Sequence, residues 1–231
     1  MTLSEQPIRR DPVNLLAALV FLAGAAAAAY VWRYGPAGSL PMHLDLRGHV
    51  NGWGDRTTVA GVVAGLTAGF AAIFVIMETV TLSAGAEAAP RRGVRIAKLL
   101  LVYVEIMTVG LMLALAYGGA SAPELGGGRL MPAILALLFL VVGAFMGKAG
   151  PNPFVGVRTY WTFRSRLAWD KSNRLSGRLF FWIGLVGLIA SPFLAPSVTT
   201  PALIAAILLA ALASVLESWR VWRTDPERRQ P

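Results

Sequence analysis

The sequence predicts an all-α membrane protein: a bundle of six transmembrane helices with a folded outward loop and a cytoplasmic amphipathic segment. Three observations lead there. Hydrophobic residues make up 56% of the 231 positions and charged residues only 14%, where a soluble domain carries nearer ~25% charged. Apolar runs recur six times, each close to the roughly 17–25 residues that cross a bilayer as a helix. The basic residues gather on alternate loops, as the cytoplasmic loops of membrane proteins do.

The runs are Val13–Trp32, Thr58–Leu82, Val94–Tyr117, Leu130–Gly147, Gly177–Leu194 and Pro201–Trp222. Two arginines, Arg9 and Arg10, precede the first. A secretory signal core spans only about 7–15 apolar residues, so an uncleaved first helix is expected. Gly61, Gly65 and Gly69 fall four apart on one face of the second run, a spacing that suits close helix packing. The expected division is 1–93, with two helices and the outward loop, and 94–231, with four.

Of the 21 lysines and arginines, 17 fall on one side, leaving only Arg33, Arg47, Arg56 and Arg129 on the other. The positive-inside rule then puts both termini in the cytoplasm of a multi-pass protein. The same sorting accounts for the net charge of +9 without nucleic acid, and no direct nucleic-acid binding is expected. The absence of cysteine excludes disulfides, thiolate metal sites and cysteine nucleophiles.

The longest polar interval is Pro151–Leu175, PNPFVGVRTYWTFRSRLAWDKSNRL. It carries Arg158, Arg164, Arg166, Lys171 and Arg174 against Asp170 alone, with Trp161, Trp169 and three other aromatics. Such a density of aromatics predicts that it folds against a surface, a lipid headgroup layer or a partner. Pro151–Arg158 reads as an irregular turn, and from Thr162 onward the pattern is helical, with Thr162 or Ser165 as the cap. Two readings stand: a basic amphipathic helix lying on an anionic leaflet, and a docking surface in which Arg158 and Trp161 bind something specific.

The outward loop, RYGPAGSLPMHLDLRGHVNGWGDRT, holds both histidines, His43 and His49, with Asp45 and Asp55. Asn51-Gly52 and Trp53-Gly54 read as tight turns of a compact loop, and a fourth metal ligand is not evident, so no metal is expected. Glu105 lies mid-span in the third run, where an ionisable side chain costs at least ~2.5 kcal/mol. It is expected either protonated or hydrogen-bonded to Thr67, Thr108 or another polar group. It reads as a packing residue or as a proton or ion site. Phosphate loops and paired catalytic carboxylates are missing, so neither an enzyme nor a cofactor is expected.

The segment NPFVGVRTYWTFRSRLAWDKSNRLSGRLF resembles the signature of the SdpI family, immunity proteins against the sporulation-delaying toxin. The matching positions are Asn152, Gly156, Val157, Arg158, Thr159, Trp161, Thr162, Trp169, Asn173, Arg174 and Gly177. The segment LPMHLDLRGHVNGWGDR is similar to a small uncharacterised domain that often precedes it, at Leu40, Pro41, His43, Gly48, Asn51, Gly52, Trp53 and Gly54. Tyr160 stands where the signature has proline, and Arg166 and Leu167 where acidic residues are common. The resemblance implies a bacterial inner-membrane immunity or signalling protein. Its implied partners are membrane lipid, a membrane-active peptide toxin and a cytoplasmic transcriptional repressor held at the membrane. Its implied partner-binding residues are Asn152, Gly156, Arg158, Thr159, Trp161, Thr162, Trp169 and Asn173. The alternatives are a small proton-coupled transporter using Glu105 and an envelope-structural protein.

Overall fold

The computed structural model describes residues 11–47, 49–83, 89–118 and 128–228. Expectations resting on Arg9, Arg10, Gly48, Arg229 and the turn at 119–127 lie outside them. Helix accounts for 77% of the described residues. The helices are α1 (Pro12–Tyr34), α2 (Arg56–Ser83), α3 (Ala89–Gly118), α4 (Leu130–Met146), α5 (Tyr160–Arg164), α6 (Arg166–Ala190) and α7 (Pro196–Thr224). Two strands, β1 (Leu40–Leu44) and β2 (Val50–Gly54), form an antiparallel hairpin between α1 and α2.

Local chemistry sets these boundaries. Asp11 caps α1 by accepting the Val13 amide at 3.1 Å, and Pro12 opens the helix where a missing N–H costs nothing. Asp55 caps α2 with one oxygen, which accepts the Thr57 hydroxyl at 2.7 Å and the Thr58 amide and hydroxyl at 2.8 Å. These bonds hold its carboxyl down at about 2. Helix α3 starts five residues earlier than the apolar run suggests, because Pro90 is tolerated in a first turn. Helix α7 likewise starts at Pro196, with Pro201 inside it.

Three expectations need correction. The amphipathic segment is not a separate surface helix: Ser165 caps α6, which runs unbroken through Gly177 into the fifth apolar run. The glycines of α2 do not pack on a neighbour, since a Cβ on Gly61, Gly65 or Gly69 would meet nothing within 4 Å. Close approach occurs between α4 and α6 instead, where a Cβ on Gly143 would sit 2.7 Å from the Gly177 carbonyl oxygen. Finally, Asn51–Gly54 is strand rather than turn. The chain reverses at Asp45–His49, where the Asp45 carboxylate accepts the amides of Arg47 (2.8 Å) and His49 (2.9 Å).

Helices α1, α2 and α3 pack around Ala28, Val31, Val59, Val63 and Val109. Helices α4, α6 and α7 pack around Met146, Phe180 and Ile207, with Phe139 edge-on to Phe180 at 5.0 Å. Four helices are long and apolar enough to cross a membrane: α1, α2, α3 and α7. Helix α4 is a shorter apolar helix of 17 residues, and α6 is polar over its first turns. Large apolar side chains stand exposed around the bundle, among them Leu22, Val75, Trp182, Val186 and Leu208. In water such a belt would be an aggregation surface; in lipid it is the ordinary exterior.

Candidate functional site

The loop leading from α4 to α5 is fastened by hydrogen bonds from buried Asn152, Asn173 and Trp169. Asn152 is buried, and its amide nitrogen donates to the carbonyls of Gly150 (2.9 Å) and Val155 (3.0 Å). Its Oδ1 accepts the amides of Phe154 and Val155, both at 2.8 Å. Asn173 reaches in from α6: its Oδ1 accepts the Val157 amide at 2.8 Å, and its Nδ2 donates to the Trp169 carbonyl at 2.9 Å. Trp169 is fully buried and donates its indole N–H to the Ala149 carbonyl at 3.0 Å. Gly156 has φ +127°, and a Cβ there would stand 2.6 Å from Asn173 Oδ1 and 3.2 Å from the Trp169 ring.

The next turn is tied down as firmly. Thr159 and Thr162 form a reciprocal capping box over α5. The Thr159 hydroxyl lies 3.1 Å from that of Ser218 on α7. The Ser165 hydroxyl donates to buried Asp225 beyond α7 while accepting the Ala168 amide at 2.8 Å.

The sequence-predicted residues therefore separate by position. Asn152, Thr162, Trp169 and Asn173 are buried, Trp161 and Thr159 are half-buried, and Arg158 is exposed. The Arg158 guanidinium lies 5.9 Å from the Phe163 ring centroid and has no carboxylate partner among the described residues. Arg164, by contrast, stacks on Tyr160 at 4.2 Å and points one nitrogen into the protein. It is a packing residue despite its charge.

Sequence reasoning missed a polar cluster at the same end of the bundle. Lys98 on α3 is almost fully buried and pairs with Glu78 on α2 at 2.7 Å, while its ammonium also reaches Asn14 Oδ1 on α1 at 3.3 Å. Asn14 donates its amide to Glu78 in turn. Lys98 and Glu105 are seven residues apart on α3, which puts them on one face about 10 Å apart. A layer of Ala17, Phe74 and Val102 sits near the cluster. Glu105 is buried, and its Oε1 accepts the Thr67 hydroxyl at 2.8 Å, one of the two partners expected; Thr108 instead bonds the Val104 carbonyl. Its Oε2 has no hydrogen-bond partner among the described residues, and Glu105 lines a cavity of about 260 Å³ between α1 and α3.

At the opposite end, Pro41 is buried and Trp53 half exposed, and the two pair across the hairpin. His43 Nδ1 contacts Asn51 Oδ1 at 2.5 Å, and Gly52 lies so close that a Cβ would meet the His43 Cβ at 2.8 Å. A Cβ on Gly54 would collide with Met42. Asp45 is 3.5 Å from His49 Nδ1, and the amide bonds it accepts lower its carboxyl from the ordinary range.

The architecture is that of a multi-pass helical membrane protein whose tightest polar structure sits at one rim. Residues 148–218, which contain that rim, match the SdpI/YfhL protein family. The segment resembling the SdpI signature lies within that match. No curated protein and no solved structure matches the chain.

Proposed function

We propose that this chain is an immunity or signalling protein of the bacterial inner membrane that intercepts a membrane-active peptide and communicates with a cytoplasmic partner such as a repressor. The chain crosses six times, with α4 and the apolar part of α6 completing the set, and both termini are cytoplasmic. The observation that carries the reading is where the family match falls. It covers the rim at which buried asparagines, threonines and Trp169 hold a loop while Arg158 stays exposed, without a carboxylate partner among the described residues. The buried signature residues shape the loop, and Arg158, with Trp161 beside it, makes the contact. A guanidinium held this way suits a carboxylate or phosphate, which it grips bidentately.

Expression in a host sensitive to a membrane-active peptide tests the function: survival should rise. Unchanged survival across the peptides tried, with the protein inserted, would argue against it. Reporter fusions after Thr57 and Asp170 should read outside and inside; a cytoplasmic signal at Thr57 would overturn the arrangement.

A second reading has its own observation, the Glu105 Oε2 beside a cavity with no hydrogen-bond partner among the described residues. It makes the chain a small proton-coupled carrier. Glu105→Gln keeps shape and hydrogen bonding and removes only the ionisable proton. Proton-dependent flux lost in Glu105→Gln vesicles would support the carrier, and unchanged flux would remove it.

A further inference from the structure

We propose that the outer face of α6 is a binding site for one anionic phospholipid, with its phosphate on Lys171, Arg174 and Arg178 and an acyl chain laid along Trp182, Val186 and Ile189. These six positions form one stripe at helical spacing, and all six are exposed. The stripe is chemically divided. Its first half borders a pocket of about 860 Å³ between α4, α6 and α7, where Lys148 and Arg220 join the three cations and Glu217 is the only carboxylate. Glu217 is already taken by Arg220 at 2.8 Å and 3.0 Å. Arg174 and Arg178 have no carboxylate partner among the described residues.

The second half of the stripe is apolar. Trp182 ends the basic pocket and begins a separate apolar groove of about 440 Å³ between α6 and α7, which Val186 and Ala190 continue. Helical rise puts Ile189 about 16 Å beyond Arg178, close to half of a ~30 Å hydrocarbon core. The face therefore matches one leaflet in both length and charge order. Glycines explain why the pocket is open: Gly143, Gly147 and Gly177 draw α4 and α6 so close that no side chain fills its floor. Basic pockets of this kind at a membrane face select anionic headgroups.

The test uses the purified full chain in nanodiscs containing brominated phosphatidylglycerol or brominated phosphatidylcholine at equal mole fraction. Trp182 emission is read as the difference between the wild-type protein and Trp182→Phe. Brominated phosphatidylglycerol should quench Trp182 well beyond phosphatidylcholine. The preference should fall by about fivefold for each cation removed in Arg174→Gln and Arg178→Gln. In the unaltered protein it should weaken as salt is raised, which tests the site without any variant. Millimolar inorganic phosphate should leave it unchanged. Equal quenching by the two lipids, or a preference that survives the double variant, overturns the proposal. Full competition by inorganic phosphate overturns it in favour of a free-anion site.

Discussion

Gly156→Ala isolates how the rim loop is held. The backbone there has φ +127°, a conformation that costs a non-glycine residue ~1–3 kcal/mol. The new Cβ would also stand 2.6 Å from Asn173 Oδ1. Asn173 must then yield, and the Val157 amide loses the 2.8 Å bond it donates. A buried donor left unpaired costs a further ~1–3 kcal/mol. The sum is about 2–6 kcal/mol. It falls on the loop rather than on insertion of the helices, because the loop's fastening is polar and theirs is apolar. A cost of ~2 kcal/mol already raises the open-loop population about 25-fold. Trypsin cutting after exposed Arg158 reports that population when opening is fast relative to cleavage. Gly38→Ala is the control: φ is +95° there too, but a Cβ meets nothing within 4 Å. It carries backbone strain alone, at the other end of the molecule, and should leave cleavage at Arg158 unchanged. A cleavage rate for Gly156→Ala within twofold of wild type would refute the fastening argument.

Two further outcomes follow from the polar groups at the bundle's ends. Removing one partner of a buried ion pair costs ~3–5 kcal/mol, and Lys98 is the more deeply buried partner of its pair with Glu78. Glu78→Gln should therefore lower the melting temperature more than Lys98→Met, and exchanging the two residues should restore part of the loss; equal effects would contradict the burial asymmetry. At the hairpin, the Asp55 carboxyl is held at about 2 against an ordinary 3.8. Its stabilising contribution is present above about pH 4 and is lost as pH falls through about 2. Amide exchange at the start of α2 should rise over that window in the wild-type protein and not in Asp55→Asn, which still caps but cannot titrate.

Much of this was legible in the sequence, unevenly. Apolar runs marked the four long apolar helices α1, α2, α3 and α7 because hydropathy over about twenty residues depends little on what the helix touches. Ser165 as a cap and Thr67 as the partner of Glu105 were also readable, since each follows from local chemistry or depth. The fate of the glycines was not. Spacing alone marks Gly61, Gly65 and Gly69 as strongly as Gly143 and Gly147, and only tertiary placement decides which face meets a neighbour. The roles of Asn152 and Asn173 were hidden for a related reason. An asparagine that recognises a partner and one that ties down its own loop look alike until its hydrogen bonds are counted. The pair Lys98–Glu78 was hidden because each residue lies near a span end and reads as a solvated charge.

The most direct test of the rim as a specific contact site compares two arginines, and the structure decides which. Arg164 is packed on Tyr160 and would confuse a docking defect with a folding one. Arg166 is exposed and loosely paired with Asp170 at 3.5 Å, so it is the fair comparison for Arg158. The measurement is survival of a sensitive host under the cognate peptide, with protein level matched by blotting, for Arg158→Lys, Arg158→Ala and Arg166→Ala. Arg158→Lys should fail along with Arg158→Ala, because lysine keeps the charge and loses the bidentate fork, while Arg166→Ala should protect as the wild type does. Full protection by Arg158→Lys, or equal loss at Arg158 and Arg166, would contradict a specific site and leave only a basic surface facing lipid.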